Sequence, residues 1–363
     1  MKILLSYASE FDKSEGIHFA RVLRRLGHDV HEVNVAATAA GTGSPGQLVR
    51  GYPADTSIEE LLADSGGGDL FLYLEPAGLI PLGLERSPVP TACVFADIHR
   101  NVRSHVLVAT LFDHVFSYMR NYVNVFQEHP PGARHWLPYG CDPMAFGDPG
   151  CRRDLDVAFI GRLYTAERRR IIPAIAGRHK MNEQRYYLQS EVPGVYARAK
   201  IVVEIPVADT IHFRPFEALF SGALLVAKQA NGGEEELFRD GVDYVSFHDD
   251  EDLHGKLDYY LAHDAERERI ALTGHDTALR EHTLDLRLVQ LLDAIEHGPK
   301  DSAPARGMTK REVLRTYAII HERAGRVETL LKMAAAARKT PWTRAELLGR
   351  SAKSLGRRMV LGW

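Results

Sequence analysis

The chain has 363 residues, 45 of them Lys or Arg and 48 Asp or Glu, for a net charge of −3 with histidines neutral. That balance gives no general case for nucleic acid, and no apolar run approaches the roughly 18 residues that span a bilayer. Cys93, Cys141 and Cys151 are an odd, scattered set without a C-x-x-C pair, which argues against a disulfide framework or zinc site and suits reduced thiols.

The chain opens on a predicted strand at 3–7 with no signal-peptide pattern, so a cytoplasmic location is expected. A helix follows over 16–26, its apolar positions Ile17, Phe19, Ala20, Leu23 and Leu26 at helical spacing and Gly27 at its end. Further strands are predicted at 29–35, 70–74, 91–95, 114–117 and 134–137. Short apolar strands joined by amphipathic helices imply a parallel sheet covered on both sides. The Ala-, Gly-, Thr- and Ser-rich stretch 36–46 reads as a mobile surface loop or, equally, a disordered insertion.

A second alternating series begins near Asp154, with strands at 157–160, 185–188, 201–205, 224–227 and 244–247 and helices at 165–176, 215–220, 252–263, 265–282 and 285–296. The expected division is a Rossmann-like domain over 1–145, a second over 146–297, a linker over 298–307 and a basic helical tail over 308–363. That tail carries 13 Lys or Arg against four acids. Leu347, Leu348, Leu355, Met359, Val360, Leu361 and Trp363 interleave with Arg350, Lys353, Arg357 and Arg358, a pattern suited to an anionic membrane surface. A helical pair packed on the enzyme and a partner-binding segment are the other readings. His248 to Asp252 is acidic, but it lies between a strand and a helix and reads as a cap rather than a metal site.

The stretch from Phe213 to Ala227 is the most informative. Pro215 can open a helix, because its missing N–H would be unpaired in the first turn. Gly222 can close that helix in a left-handed conformation, and residues 223–227 are apolar throughout, as a strand covered on both faces should be. Glu217 is then expected in the first turn, where the helix dipole favours a carboxylate. It would repel a phosphate there, so its partner would be a neutral hydroxyl beside the phosphate, such as a ribose. That geometry suits a bound nucleotide.

Four segments together resemble nucleotide-sugar glycosyltransferases with the GT-B fold. Pro138-Tyr139-Gly140-Cys141-Asp142 resembles their interdomain turn, and Gly161-Arg162-Leu163 the strand end where a basic side chain meets the donor diphosphate. Glu217-Ala218 with Gly222 resembles their E-A-x-x-x-G helix, and Gly232-Gly233 with Glu234 to Glu236 the glycine-rich turn that follows. Within that fold, Asp156 to Gly161, Arg168-Arg169, Arg214-x-Phe216-Glu217 and Glu281-His282-Thr283 resemble the CgeB-like (spore maturation protein) group. The likeness runs over about 154–287 and is faint before Arg134.

The resemblance implies an α/β fold of two Rossmann-like domains facing a cleft, with a basic helical C-terminal extension outside it. It implies transfer of a sugar from a nucleoside-diphosphate sugar, without metal or other cofactor, to an unidentified glycan, lipid-linked or protein acceptor. Positive charge and N–H donors must hold the departing diphosphate, and Gly161, Arg162, Arg214, Glu217, Gly232, Gly233 and Glu236 are the donor-site candidates. Many retaining members carry two glutamates separated by seven residues; the second matches Glu217, and the first falls here on Asp209, a shorter acid. Retention is the favoured outcome; inversion would need a base from the first domain, for which Asp97 and His99 are the candidates. The alternatives are a non-catalytic nucleotide-sugar binder or assembly subunit, favoured by Asp209, and a nucleotide-sugar epimerase.

Overall fold

A computed structural model describes the chain except for residues 8–14, 36–48, 76–79, 148–149, 208–209, 231, 324–326, 337–340 and 362–363, and for the side chains of 327, 336, 341–343 and 355–361. The predicted loop 36–46 therefore lies outside the described residues, as does Asp209. The chain divides into two compact units, one formed by 1–117, 122–136 and 292–363 and the other by 118–121 and 137–291.

In the first unit, β1 (Lys2–Ser6), α1 (Glu15–Arg25), β2 (Asp29–Val35), β3 (Arg50–Tyr52), α2 (Ile58–Asp64), β4 (Leu70–Leu74), β5 (Thr91–Phe95), α3 (Val102–Ala109), β6 (His114–Ser117) and β7 (Arg134–Trp136) follow one another. All seven strands are parallel, in the order β3-β2-β1-β4-β5-β6-β7. Leu4 of β1 lies in register between His31 and Phe71. Strands β4 and β5 are buried at every position, as expected when helices cover both faces. Gly27 ends the α1 turn at φ +87°, a conformation that favours glycine. The edge strand β3, Arg-Gly-Tyr, has no apolar alternation and was not predictable from pattern.

The second unit holds β8 (Leu155–Ala158), α4 (Ala166–Ala176), α5 (Val192–Ala197), β9 (Ala199–Glu204), α6 (Phe213–Phe220), β10 (Leu224–Lys228), β11 (Val245–Phe247), α7 (Asp250–Ala262), α8 (Asp264–Glu281) and most of α9 (Leu284–His297). Its four strands are parallel in the order β11-β10-β9-β8. Val157, Ile201, Val203, Leu224, Val226 and Phe247 form its core with Ile171, Ile172 and Ile175 of α4.

The predicted strand 185–188 is absent. Lys180 already receives the N–H groups of Asp156 and Val157, and Met181 bridges Val157, so β8 offers that segment no edge to pair with. Arg185 instead lies over the Tyr187 ring at 4.0 Å and pairs with Glu191 at 2.7 Å.

The segment read as a linker is pinned to the first unit. Asp113 accepts hydrogen bonds from Ala303 N (3.2 Å) and from Arg306 Nε and Nη2 (3.3 and 3.1 Å), while Ser302 Oγ donates to its carbonyl (2.6 Å). The tail then forms α10 (Lys310–Arg323), α11 (Val327–Ala336) and α12 (Pro341–Leu361), which belong to the first unit. Tyr317 of α10 accepts from Leu84 N at 3.0 Å and donates to Pro81 O at 3.2 Å. Two of the cations read as lipid-facing are committed elsewhere: Arg350 pairs with Glu322 and Glu346 and Lys353 with Glu322, and Leu347 is buried. The other interleaved positions from Leu355 onward lie outside the described side chains. No described helix is long and apolar enough to cross a membrane.

Candidate functional site

The carboxyl ends of β8, β9 and β10 bring most of the sequence candidates to one edge of the second unit. In open α/β sheets that edge is where ligands bind. After β8 the chain turns through Phe159, Ile160, Gly161 and Arg162. A side chain at Gly161 would come within 2.9 Å of the Phe159 ring and 3.4 Å of Arg168 Nη1, so it would have to displace the buried Phe159 ring. Thr165 caps α4 by accepting from Arg168 N at 3.1 Å. The Arg168 side chain then runs inward, fully buried. Its Nε donates to Ile205 O at 2.9 Å and its Nη1 to Arg162 O at 3.1 Å, with a further bond from Nη2 to Ile205 O. The guanidinium lies 5.3 Å over the Phe159 ring. Burial brings its pKa down to about 10, still charged at neutral pH. Arg168 thus ties the Gly161–Arg162 turn to the end of β9. Arg162 itself is exposed and donates to Tyr164 Oη. Glu167, its nearest acid in sequence, pairs with Lys228 of β10 at 2.6 Å.

At the end of β9, Glu204 is buried and takes a forked pair of bonds from Arg214, Nε to Oε2 at 2.7 Å and Nη2 to Oε1 at 3.0 Å. Burial opposes the charge on both. The pairing outweighs it, lowering the Glu204 pKa and raising that of Arg214. Arg214, a candidate for the diphosphate, is therefore turned toward an acid of its own chain.

Helix α6 begins at Phe213 rather than Pro215, with His212 at its N-cap. Glu217 is then the fifth helical residue, beyond the first turn in which it was expected. Its side chain is buried and Oε1 accepts from Gln189 Nε2 at 3.0 Å. The dipole argument for Glu217 does not hold, because that effect falls off within one turn. Gly222 does close the helix left-handed, at φ +69°.

Beyond β10, a side chain at Gly232 would fall 2.5 Å from Ile211 N, so the two backbones meet only because residue 232 is glycine. Gly232 N donates to Glu234 Oε2 at 2.8 Å, Gly233 sits at φ +95°, and Glu236 is ion-paired with Arg120. A pocket lies here, lined among others by Glu204, Thr210, His212, Lys228 and Glu234. Thr210 Oγ1 is buried in it without a hydrogen-bond partner among the described residues.

Two motif segments far apart in sequence also meet within the second unit. Cys141 N donates to His282 O at 3.3 Å and Leu284 N to Cys141 O at 2.8 Å. Gly140 passes so close that a side chain would meet Arg287 and His282 O at 2.9 Å.

In the first unit, Asp97 has φ +42° and pairs with Arg100 at 3.1 Å, and His99 Nδ1 is buried without a partner among the described residues. Asp249 caps α7 by accepting from Asp252 N at 2.9 Å. Among the described residues no cluster of His, Cys, Asp and Glu could hold a metal ion. Sequence reasoning missed Glu204, Gln189 and Lys228, and named Arg168 without its orientation. A lone acid ending the apolar run of β9 was the one available signal for Glu204.

Residues 152–293 match a family model described as glycosyl transferase-like. HepE of Anabaena, solved in complex with UDP, is similar over 82% of this chain and 100% of its own, with a TM-score of 0.62 and 13% identity. An alpha-glucosyltransferase in complex with UDP-glucose and DNA covers 81% of this chain and 98% of its own, at a TM-score of 0.58 and 10% identity. The chain has the GT-B fold. Sucrose-phosphate synthase of Thermosynechococcus elongatus shares it, at a TM-score of 0.53 and 11% identity over 82% of this chain and 98% of its own. At such identities the likeness is one of fold. No curated protein matches the chain by sequence. The glycosyl transferase-like match falls on the second unit of this GT-B chain, the one that carries the edge described above.

Proposed function

We propose that this protein is a glycosyltransferase that takes a sugar from a nucleoside-diphosphate sugar and passes it to a hydroxyl-bearing acceptor. The observation that carries this is the coincidence of the glycosyl transferase-like region with the edge holding Gly161, Arg162, Glu217, Gly232 and Gly233. Neighbours of the same fold are solved with UDP or UDP-glucose, which supports a nucleotide-sugar donor. Exposed Arg162 suits a diphosphate, because its planar fork makes two charge-assisted bonds. Glu217 suits a ribose hydroxyl. Retention without a metal is the favoured course: the bond from the anomeric carbon to the diphosphate breaks, the acceptor oxygen bonds that carbon, and its proton passes to the departing phosphate. Asp209 is the acid proposed to serve that course. A membrane-surface role for the basic tail belongs to the same proposal and would suit a lipid-linked acceptor, as would a place in the CgeB-like group.

One observation favours a second reading, a non-catalytic nucleotide-sugar binder. Arg214, a candidate to stabilise the departing diphosphate, is held by the buried Glu204 of its own chain. Thermal stabilisation by a panel of nucleotides and nucleotide sugars tests the donor site, since a ligand of the folded state raises its stability. Stabilisation by one nucleoside diphosphate and its sugars, with release of the diphosphate over time, supports the enzyme. Stabilisation without release moves the binder ahead, and no stabilisation by any of them removes the donor assignment.

A further inference from the structure

Three groups able to bind phosphate lie at the carboxyl edge of the second unit, and each is held by a carboxylate of the chain. Lys228 Nζ meets Glu167 Oε1 at 2.6 Å, Gly232 N–H meets Glu234 Oε2 at 2.8 Å, and Arg214 meets Glu204 through two bonds. The three acids differ in burial. Glu204 is 4% exposed and Arg168 stands 3.8 Å behind it, so it cannot leave without stranding two cations. Glu167 is 30% exposed, and Glu234 is partly exposed on a short turn. Either can swing into water at little cost: the Glu167 pair is partly exposed and therefore weak, and Glu234 accepts from a backbone N–H rather than from a cation.

We infer that Lys228 and the Gly232 N–H form a diphosphate-binding pair, and that Glu167 and Glu234 occupy it until the ligand displaces them. Lys228 and Glu234 line one pocket. Thr210 lines it too, and its buried hydroxyl, which can donate to an anion, has no partner among the described residues. A phosphate group carries more charge and more acceptor oxygens than a carboxylate, so it exchanges favourably for either acid. Arg214 stays with Glu204 and acts on the site only through the placement of α6. The inference rests on the donor reading and gives it a cation, Lys228, that neither the motifs nor helix geometry singled out.

The test is calorimetric titration of the full chain with inorganic pyrophosphate, which has no base and no sugar. The wild type binds it. Glu167→Gln and Glu234→Gln each bind it about two- to fivefold more tightly, the worth of a displaced half-exposed pair for the first and of a displaced backbone hydrogen bond for the second. Lys228→Gln binds it about tenfold more weakly, the worth of one charge-assisted bond. Unchanged or weaker binding in both glutamate variants would overturn the displacement, as would unchanged binding in Lys228→Gln or none in the wild type. Pyrophosphate binding with these signs, alongside failure of every nucleotide to bind, would uphold the anion site and sink the donor reading, so the two are separable.

Discussion

Glu204 stands between two arginines, accepting a forked pair of bonds from Arg214 at 2.7 and 3.0 Å while Arg168 Nη2 lies 3.8 Å away. Burial of one acid with two cations makes the acid the keystone of the group. Removing one partner of a buried pair costs about 3–5 kcal/mol, because the other charge is left uncompensated. Glu204→Gln should therefore destabilise the second unit more than Arg214→Ala, in urea denaturation at neutral pH. The reverse order would show that the Ile205 and Arg162 carbonyls suffice for Arg168.

Arg162 presents the opposite case, its side chain exposed and held only by Tyr164 among the described residues. Arg162→Ala should leave stability within about 0.5 kcal/mol of wild type, as surface changes do. It should lower affinity for the nucleoside diphosphate that stabilises the wild type by about tenfold or more. Unchanged affinity in calorimetry would take Arg162 out of the donor site.

Gly232→Ala places a carbon 2.5 Å from Ile211 N, a backbone atom that cannot rotate away. Overpacking of this kind costs about 1–3 kcal/mol. Thermal melts should show that loss together with weaker nucleotide binding, since the turn and residues 210–211 must separate. A variant with wild-type stability would show that the turn yields to a methyl group without loss.

Acid should weaken the fold through histidines buried in neutral form. Burial first, then Arg287, lowers His282 to about 4, and burial first, then His135, lowers His114 to about 4, against an ordinary 6.5. His282 Nε2 donates to Leu237 O, which leaves Nδ1 to accept from Arg287. Stability from these groups is complete above 6.5 and is lost as pH falls toward 4, because only the unfolded chain binds the protons in that window. Each histidine contributes a slope of up to about 1.4 kcal/mol per pH unit there. Urea midpoints from pH 7.5 to 5 should fall accordingly, and less steeply in His282→Gln. A flat profile would show that both histidines protonate in place.

The tail should behave as part of the first unit. Tyr317→Phe removes the bonds to Leu84 N and Pro81 O and should cost about 1 kcal/mol. Hydrogen exchange at the Leu84 amide should speed up with it. Exchange unaltered at Leu84 would mean that α10 does not hold that segment.

Much of the fold was written in the sequence because it is local. Period-2 and apolar runs marked β4, β5 and β6 to the residue. Gly27 and Gly222 stopped their helices where a left-handed residue was needed, and α4 starts one residue after the predicted start at 165. These features depend on neighbours a few positions away, and propensity and spacing read them well. The glycine-rich turn after β10 was legible for the same reason, although its cause, the approach of Ile211, was not. What only the tertiary structure decided is who meets whom. Whether Arg214 faces solvent or Glu204, where the Arg168 side chain goes, and which acid holds Lys228 depend on groups brought together from ten, 37 and 61 positions away. The placing of 302–306 on Asp113 spans about 190 positions. Burial decides such pairings, because a charge taken out of water must find a partner, and the chain's order does not say which one is near.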